Sequence, residues 1–371
     1  MKKKLLSLLI TLSLVLSLTA CGQKNTVENT ETTAESEQVI TEENNTTEAV
    51  SEEDSITEES ASDALTTQYP VTVTDQAGRE VTIESEPQKL VSGYYISTSL
   101  LISLELDDKL VGIEAKADKR AIYKLSAPEL IDLPNVGTAK EFDLEGCIAL
   151  EPDLVILPLK LKNTAESLEK LNIDVLYVNP ENQELLTEMM TLIGTATNTQ
   201  EKTNELMNFV TKQEDALANA LANADAPSVY LAGNSSMLST AGSAMYQSNM
   251  ITLAGGQNVA ADITDTYWVE IDYEQLLTWN PEYIILASDA DYTVYDVLAD
   301  PNLAECSAVK NGNVYQMPSK AESWDSPVPS GILGSVWLAT ILHEDLFSAD
   351  TASAIIDEYY ETFYDFKYSE K

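Results

Sequence analysis

The chain carries one histidine, three cysteines and two arginines in 371 residues, and each scarcity closes a class of chemistry. A Ser-His-Asp hydrolase needs a histidine base, yet the sole one, His343, sits in LATILHEDLF near an expected helix end, where it faces solvent or packs against the last turn, and no G-x-S-x-G elbow accompanies it. Neither C-x-x-C nor H-E-x-x-H occurs, so zinc catalysis has no ligands at familiar spacing. Cys147 and Cys306 lie in opposite halves of the chain and read as two isolated buried thiols rather than a bridge. The DADYTVYDVLAD stretch from Asp289 matches a calcium loop at positions one and three but has no glycine at six and no glutamate at twelve. Basic charge is also sparse: 21 Lys and Arg stand against 61 Asp and Glu, which disfavours nucleic acid and anionic lipid headgroups as partners.

The N-terminus is built differently from the rest. Lys2, Lys3 and Lys4 precede an apolar run from Leu5 to Leu18, about 14 residues, which is too short for a good membrane span and reads as residues 1–20 of an export signal. Leu18-Thr19-Ala20-Cys21 resembles the lipobox of bacterial lipoproteins, which implies lipidation of Cys21 and an extracytoplasmic protein held to the cell membrane by that anchor only. Residues 25 to 66 hold 13 acidic and no basic side chains and few large apolar ones, so the segment 21–68 is expected to be a disordered, self-repelling tether. Removing these segments leaves 17 basic and 48 acidic residues, a net charge of −31 for the part that folds.

From Tyr69 short apolar runs alternate with amphipathic ones. VTVTD, a turn at Ala77-Gly78 and EVTI predict a β-hairpin. KLVSGYY, KLVGIEA, DLVILPL and DVLYVNP predict buried strands separated by helices such as NTAESLEKL, and SVYLAGN, EYIILAS and NVYQMPS predict a second series. The expected fold class is therefore α/β, with two α/β lobes of mainly parallel sheet over 69–197 and 225–371. Between them 198–224, without Gly or Pro, predicts one long linking helix with Leu206, Phe209, Val210, Leu217 and Leu221 on its buried face, about 40 Å long.

One stretch occurs twice. DLEGCIALEPDLVIL at 143–157 and DYEQLLTWNPEYIIL at 272–286 share D-x-E, an apolar segment and P-[DE]-x-[VI]-I-L at a constant displacement of 129 positions. Each Asp stands where a helix N-cap would be, each Glu in the first turn, and the branched run begins a strand. A crossover helix starts on the side where its sheet's strands end, so Glu145 and Glu274 are expected on the rim of an inter-lobe crevice.

The lipobox, YPVTVTDQAGREVTIESEPQKLVS, DLEGCIALEPDLVI, YEQLLTWNPEYIILAS and ESWDSPVPSGILGSVWLATIL together resemble the class III substrate-binding proteins of ABC importers, from about residue 69 to the C-terminus. The resemblance implies two lobes joined by one long helix, a ligand cleft between them, and one glutamate per lobe, matching Glu145 and Glu274, that docks onto arginines of a permease. It implies as partners a permease dimer with its ATPase, and as cargo an iron complex of the siderophore type, with cobalamin, haem or another metal species or oxyanion as the alternatives. The protein itself would be a monomer without a cofactor and not an enzyme.

If the strands are placed correctly, the residues just after each strand end line the cleft: Tyr94, Tyr95, Lys116 and Lys160 from one lobe, and Asn234, Ser236, Met237, Trp268, Ser288, Glu322, Trp324 and Asp325 from the other. Tyrosine and tryptophan offer flat faces and lysine a point charge for an anionic chelate. Many iron-siderophore binders of the family place arginines in the cleft, whereas Arg79 and Arg120 are the only ones here and Arg79 belongs to the hairpin. Two other readings are a surface sensor or adhesin on the same fold, and a carboxylate-pair glycosidase, for which Glu145 and Glu274 on separate rims stand too far apart.

Overall fold

A computed structural model describes residues 66–371 apart from Asp265. The signal segment, Cys21 and most of the acidic tether lie outside the described residues. The chain is already fixed at Thr67, inside the segment expected to be tether: its backbone N–H donates to Asn198 at 2.8 Å and its hydroxyl to the Thr195 carbonyl at 2.7 Å.

The hairpin forms as expected from strands β1 (Val71–Thr74) and β2 (Glu80–Ile83), paired antiparallel, with Gly78 at φ 76 in the turn. The first lobe's sheet is built from β3 (Leu90–Ser92), β4 (Leu110–Ile113), β5 (Leu154–Pro158) and β6 (Asp174–Val178), in the order β4-β3-β5-β6, all parallel. The second lobe contains β7 (Ser228–Ala232), a short ribbon of β8 (Ser239–Ala241) with β10 (Trp268–Glu270), β9 (Gln257–Asn258), β11 (Tyr283–Leu286) and β12 (Val314–Gln316). Its parallel sheet runs β12-β11-β7-β9. In each sheet the lobe's first strand is an inner strand with a neighbour on either side.

Alternation along these strands explains why their sequences are apolar throughout. Leu90, Leu154, Ile156, Val229, Leu231 and Ile285 point into one core that continues from lobe to lobe. Their neighbours point the other way, Val91, Val155 and Leu157 joining Cys147 in an outer core of the first lobe, and Tyr230, Ala232 and Ile284 joining Cys306 in an outer core of the second. Each cysteine is thus a free, buried thiol in its own core.

The helix expected over 198–224 runs Gln200–Ala220, 21 residues or about 31 Å. Asn198 adopts φ 60, which ends the preceding helix Gln183–Ala196 and delays the start of the next. A non-helical turn before Pro227 closes the other end. Leu206, Phe209, Val210 and Leu217 are buried as expected, and Leu221 caps the helix. A second brace has no counterpart among the sequence expectations. The final helix, Ala349–Tyr364, packs on this connector through Phe209, whose ring lies 5.3 Å from Tyr359 and 5.8 Å from Phe363. The same helix reaches the first helix of the first lobe, Tyr95–Ser103, where the Tyr364 and Ser99 hydroxyls are 2.9 Å apart.

Because this seam is shared by both lobes, Phe209→Ala should cost about 3–5 kcal/mol, and chemical denaturation should still show one transition for the whole folded part. Two separated transitions in the wild-type protein would refute a common core.

Candidate functional site

In open parallel sheets ligands sit beyond the carboxyl ends of the strands, where neighbouring connections leave in opposite directions. The structure places two adjoining cavities there. One, about 440 Å³, is walled by Tyr94, Tyr95 and Lys160 from the first lobe and by Asn234, Ser236, Gln247, Trp268, Ser288 and Asp325 from the second. The other, about 300 Å³, takes Lys119, Arg120 and Tyr123 from the first lobe and Asn234, Asp289, Glu322 and Ser323 from the second. Tyr95, Asn234, Ser323 and Ser326 line both, so the two are parts of one crevice. A larger cavity, about 750 Å³, runs beside the connector at Met207, Val210 and Glu214, away from the strand ends.

The sequence-derived cleft residues divide accordingly. Tyr94, Tyr95, Lys160, Asn234, Ser236, Trp268, Ser288, Glu322 and Asp325 are brought together around the crevice. Three are not. Trp324 is a core residue, 1% exposed, whose indole N–H donates to the Tyr360 hydroxyl at 2.8 Å. Met237 packs on the outer core of its lobe. Lys116 is exposed in a left-handed turn at φ 71 and lines neither cavity.

Beyond that turn the chain delivers a cation absent from the sequence-derived cleft set. The Arg120 guanidinium lies 4.1 Å from the centroid of the Tyr95 ring, and among the described residues it makes no ion pair or hydrogen bond. Its backbone, extended at φ −86, closes a one-turn 3-10 segment and opens helix Ala121–Ser126. Lys119 beside it pairs with Asp118 at 3.1 Å. ADKRAIY follows the end of strand Leu110–Ile113 after three intervening residues, so the rule that selects Lys116 reaches Arg120 four residues later.

Three carboxylates are buried around the crevice without cationic partners. Glu322 accepts from the Ser99 and Ser330 hydroxyls, both at 2.6 Å, and so links the two lobes. Glu114 accepts from Tyr123 and Thr98, each at 2.7 Å. Asp325 accepts from the Ser288 backbone N–H at 3.0 Å and from the Ser288 hydroxyl. Burial pushes all three above the usual carboxylate range, against the opposing pull of those hydrogen bonds.

The repeated stretch resolves into one joint with three acids in three roles. Asp143 and Asp272 cap their helices, Leu144–Ala149 and Tyr273–Trp279, accepting the Gly146 and Gln275 N–H groups at 2.9 and 2.8 Å. The residues before the two prolines, Glu151 and Asn280, both turn left-handed, at φ 51 and 46. The acids after them clasp the neighbouring strand: Asp153 accepts from the Gln88 and Lys89 N–H groups at 2.8 and 2.9 Å, and Glu282 from the Ser228 N–H at 2.8 Å. Each returns its own N–H, to the Lys89 carbonyl at 2.9 Å and to the Ser228 carbonyl at 3.0 Å. Glu145 and Glu274 are exposed in the first helical turns and make no ion pair or side-chain hydrogen bond among the described residues.

Two parallel-sheet lobes facing each other over a crevice at their strand ends define a two-lobed binding protein. The chain belongs to the periplasmic binding protein family, whose family model matches residues 90–321. It is 26% identical over 319 residues to the molybdate-binding protein MolA of Haemophilus influenzae, covering 79% of this chain and 90% of that one. It is 25% identical over 252 residues to a cobalamin-binding protein of Halobacterium salinarum, covering 67% of this chain and 66% of that one. A solved periplasmic solute-binding protein of Veillonella parvula superimposes with a TM-score of 0.69 at 25% identity, covering 80% of this chain and 93% of that one. The chain is accordingly a substrate-binding protein of the kind that serves ABC importers.

A carboxyl whose folded pKa lies above its unfolded value favours the protonated folded state. Its contribution is full below the ordinary value of 4.5 and is lost as pH rises through the folded pKa. The melting temperature should therefore fall as pH rises above the ordinary carboxylate range, and Glu322→Gln should flatten that slope. An unchanged slope in the variant would show that Glu322 stays ionised throughout.

Proposed function

We propose that the crevice captures a compact anionic metal complex of the siderophore type and presents it to a membrane permease, with Cys21 as the lipid anchor. One observation carries the reading: Arg120 stands at the junction of the lobes over the Tyr95 ring, with its guanidinium free of ion-pair and hydrogen-bond partners among the described residues. A cation with no carboxylate at ion-pair distance among the described residues is suited to an anionic guest, and its planar fork can bond two oxygens at once. Lys160 adds a second positive charge, while Tyr94 and Trp268, the latter 40% exposed, supply flat faces for an organic shell. Among the described residues no group of three or more His, Cys, Asp and Glu is placed to hold a metal ion, which fits a metal that arrives inside its own ligands. Cavities of about 300 and 440 Å³ favour a compact guest over a corrinoid.

A second reading, a bare oxyanion seated at Arg120 alone, is favoured by the similarity to the molybdate-binding MolA. Thermal-shift titration separates the two, since a bound ligand raises apparent stability by mass action. Ferric complexes should shift the wild-type protein, and Arg120→Ala should weaken their binding about 10- to 100-fold, the scale of a lost charge-assisted pair. Equal binding by the variant would sink the anion reading.

Docking falls to Glu145 and Glu274. The repeat gives their neighbours internal work and leaves these two exposed, one per lobe, at corresponding helix starts. Rim carboxylates speed and orient encounter more than they tighten it, which suits a partner met and left repeatedly. The double variant Glu145→Ala, Glu274→Ala should keep its ligand affinity and lose uptake in cells that carry the transporter. Unaltered uptake would remove the assignment.

A further inference from the structure

Trp268 opens strand β10 and lines the 440 Å³ cavity, where it is 40% exposed. Its covered side lies on Gly233, the residue just past the end of β7. A Cβ on residue 233 would stand 3.0 Å from Cζ3 of the indole, 3.1 Å from the Ser239 carbonyl oxygen and 3.3 Å from the Ser239 Cβ. The first of these is well inside the about 3.5–4.0 Å at which carbon atoms pack best. Gly233 is not at positive φ, so its backbone would accept alanine and only the space would not. Ser239 is held in place: its carbonyl accepts the Gly233 N–H at 2.8 Å, and the residue pairs with Glu270 across the ribbon. Gly233 is pinned from its other side, its carbonyl accepting the Tyr292 hydroxyl at 2.6 Å. Between the two neighbours the indole is the one free to yield, and the space open to it is the crevice.

A flat side chain serves a ligand only where its face stands at contact distance, so whatever sets the position of the ring sets the width of the site. We infer that Gly233 is a positioning residue for the ligand: by carrying no side chain it lets the Trp268 ring lie back on the end of β7, which keeps the 440 Å³ cavity open to a guest's organic shell and sets the plane on which that shell rests. This rests on the reading of the crevice as the site of an anionic complex with an organic shell, and deepens it by assigning the width of the cavity to one missing methyl group. A bare oxyanion seated at Arg120 would be indifferent to that methyl, because Trp268 does not line the adjoining 300 Å³ cavity.

The test uses the full-length chain as wild type, Gly233→Ala, Trp268→Ala and the double variant. The probe is a ferric tricatecholate, which carries both negative charge and flat rings. Without ligand, the Trp268 emission is isolated by subtracting each protein's Trp268→Ala counterpart, so that Trp279, Trp324 and Trp337 cancel. Acrylamide quenching of that emission should rise in Gly233→Ala as the ring is lifted into the crevice. With the probe, Gly233→Ala should bind about 3- to 10-fold more weakly than the wild type, the scale of one displaced aromatic contact. In the Trp268→Ala background the same substitution should change nothing. Any melting temperature that Gly233→Ala loses should likewise return in the double variant, so a single variant that folds poorly still decides the matter. Unchanged quenching, or an affinity that Gly233→Ala leaves intact, overturns the inference, and so does a loss of equal size with and without Trp268. Failure of the wild type to bind the tricatecholate, or full-strength binding by Arg120→Ala, would instead discard the anion reading. The quenching comparison, made without ligand, would then still decide whether Gly233 places the ring.

Discussion

The shape of the crevice depends on the apolar core that runs beneath it. Two lobes with separate cores, joined by flexible crossovers, would be free to swing. Here the sheets of both lobes, the connector and the final helix bury side chains in one continuous cluster, with Phe209 wedged against Tyr359 and Phe363. Opening the lobes widely would expose that surface, at about 25 cal/mol for every Å² of apolar area returned to water. Closure in the other direction starts from contacts already made, Ser99 to Glu322 and Tyr246 to Glu181. The protein therefore meets its ligand with a nearly formed site, and little binding free energy goes into rearranging lobes.

The repeated joint shows why a protein of this build carries the same acidic pattern twice. Two of its three acids are consumed by the fold in each lobe, one capping a helix and one clasping a strand start in both directions. A helix cap alone would be satisfied by Ser or Asn, and a strand start needs no carboxylate. The third acid is spared from internal work and stays exposed in the first turn of its helix. On the docking role proposed for Glu145 and Glu274, the same local arrangement in both lobes would set out the two contacts alike.

Much of this is legible in the residues. Buried parallel strands announce themselves as short, unbroken branched runs, and all seven apolar runs of that kind form strands of the two sheets. The D-x-E spacing alone puts Asp143 and Asp272 at helix N-caps, where the structure has them. Positions decided by tertiary packing are the ones that sequence does not reveal. Trp324 sits between Ser323 and Asp325, both of which line the 440 Å³ cavity, yet its own direction is set by the aromatic cluster of Tyr360 and Tyr368. Arg120 escapes a count from the strand end because the left-handed turn at Lys116 shifts the chain, so that the useful cation comes several residues later. The connector starts later than its Gly-free, Pro-free stretch because Asn198 can adopt a positive φ, an option that absence of glycine does not reveal, and it ends earlier in a turn ahead of Pro227.

An acidic protein proposed to capture an anion looks contradictory until distances are considered. The part that folds carries a net charge of −31, but its surface carboxylates act through water and ions, which screen them over about 10 Å at 0.1 M salt. Inside the crevice the decisive charges are few and close. Glu114 and Glu322 are the buried carboxylates that interact with Arg120, and burial pushes each toward its neutral form while serine, threonine and tyrosine hydroxyls, rather than cations, satisfy their oxygens; Asp289, on the same cavity wall, is exposed to solvent. A guest that brings negative charge to Arg120 raises those pKa values further, by plain Coulomb repulsion. On the proposed reading the local field favours the guest even as the distant one opposes it.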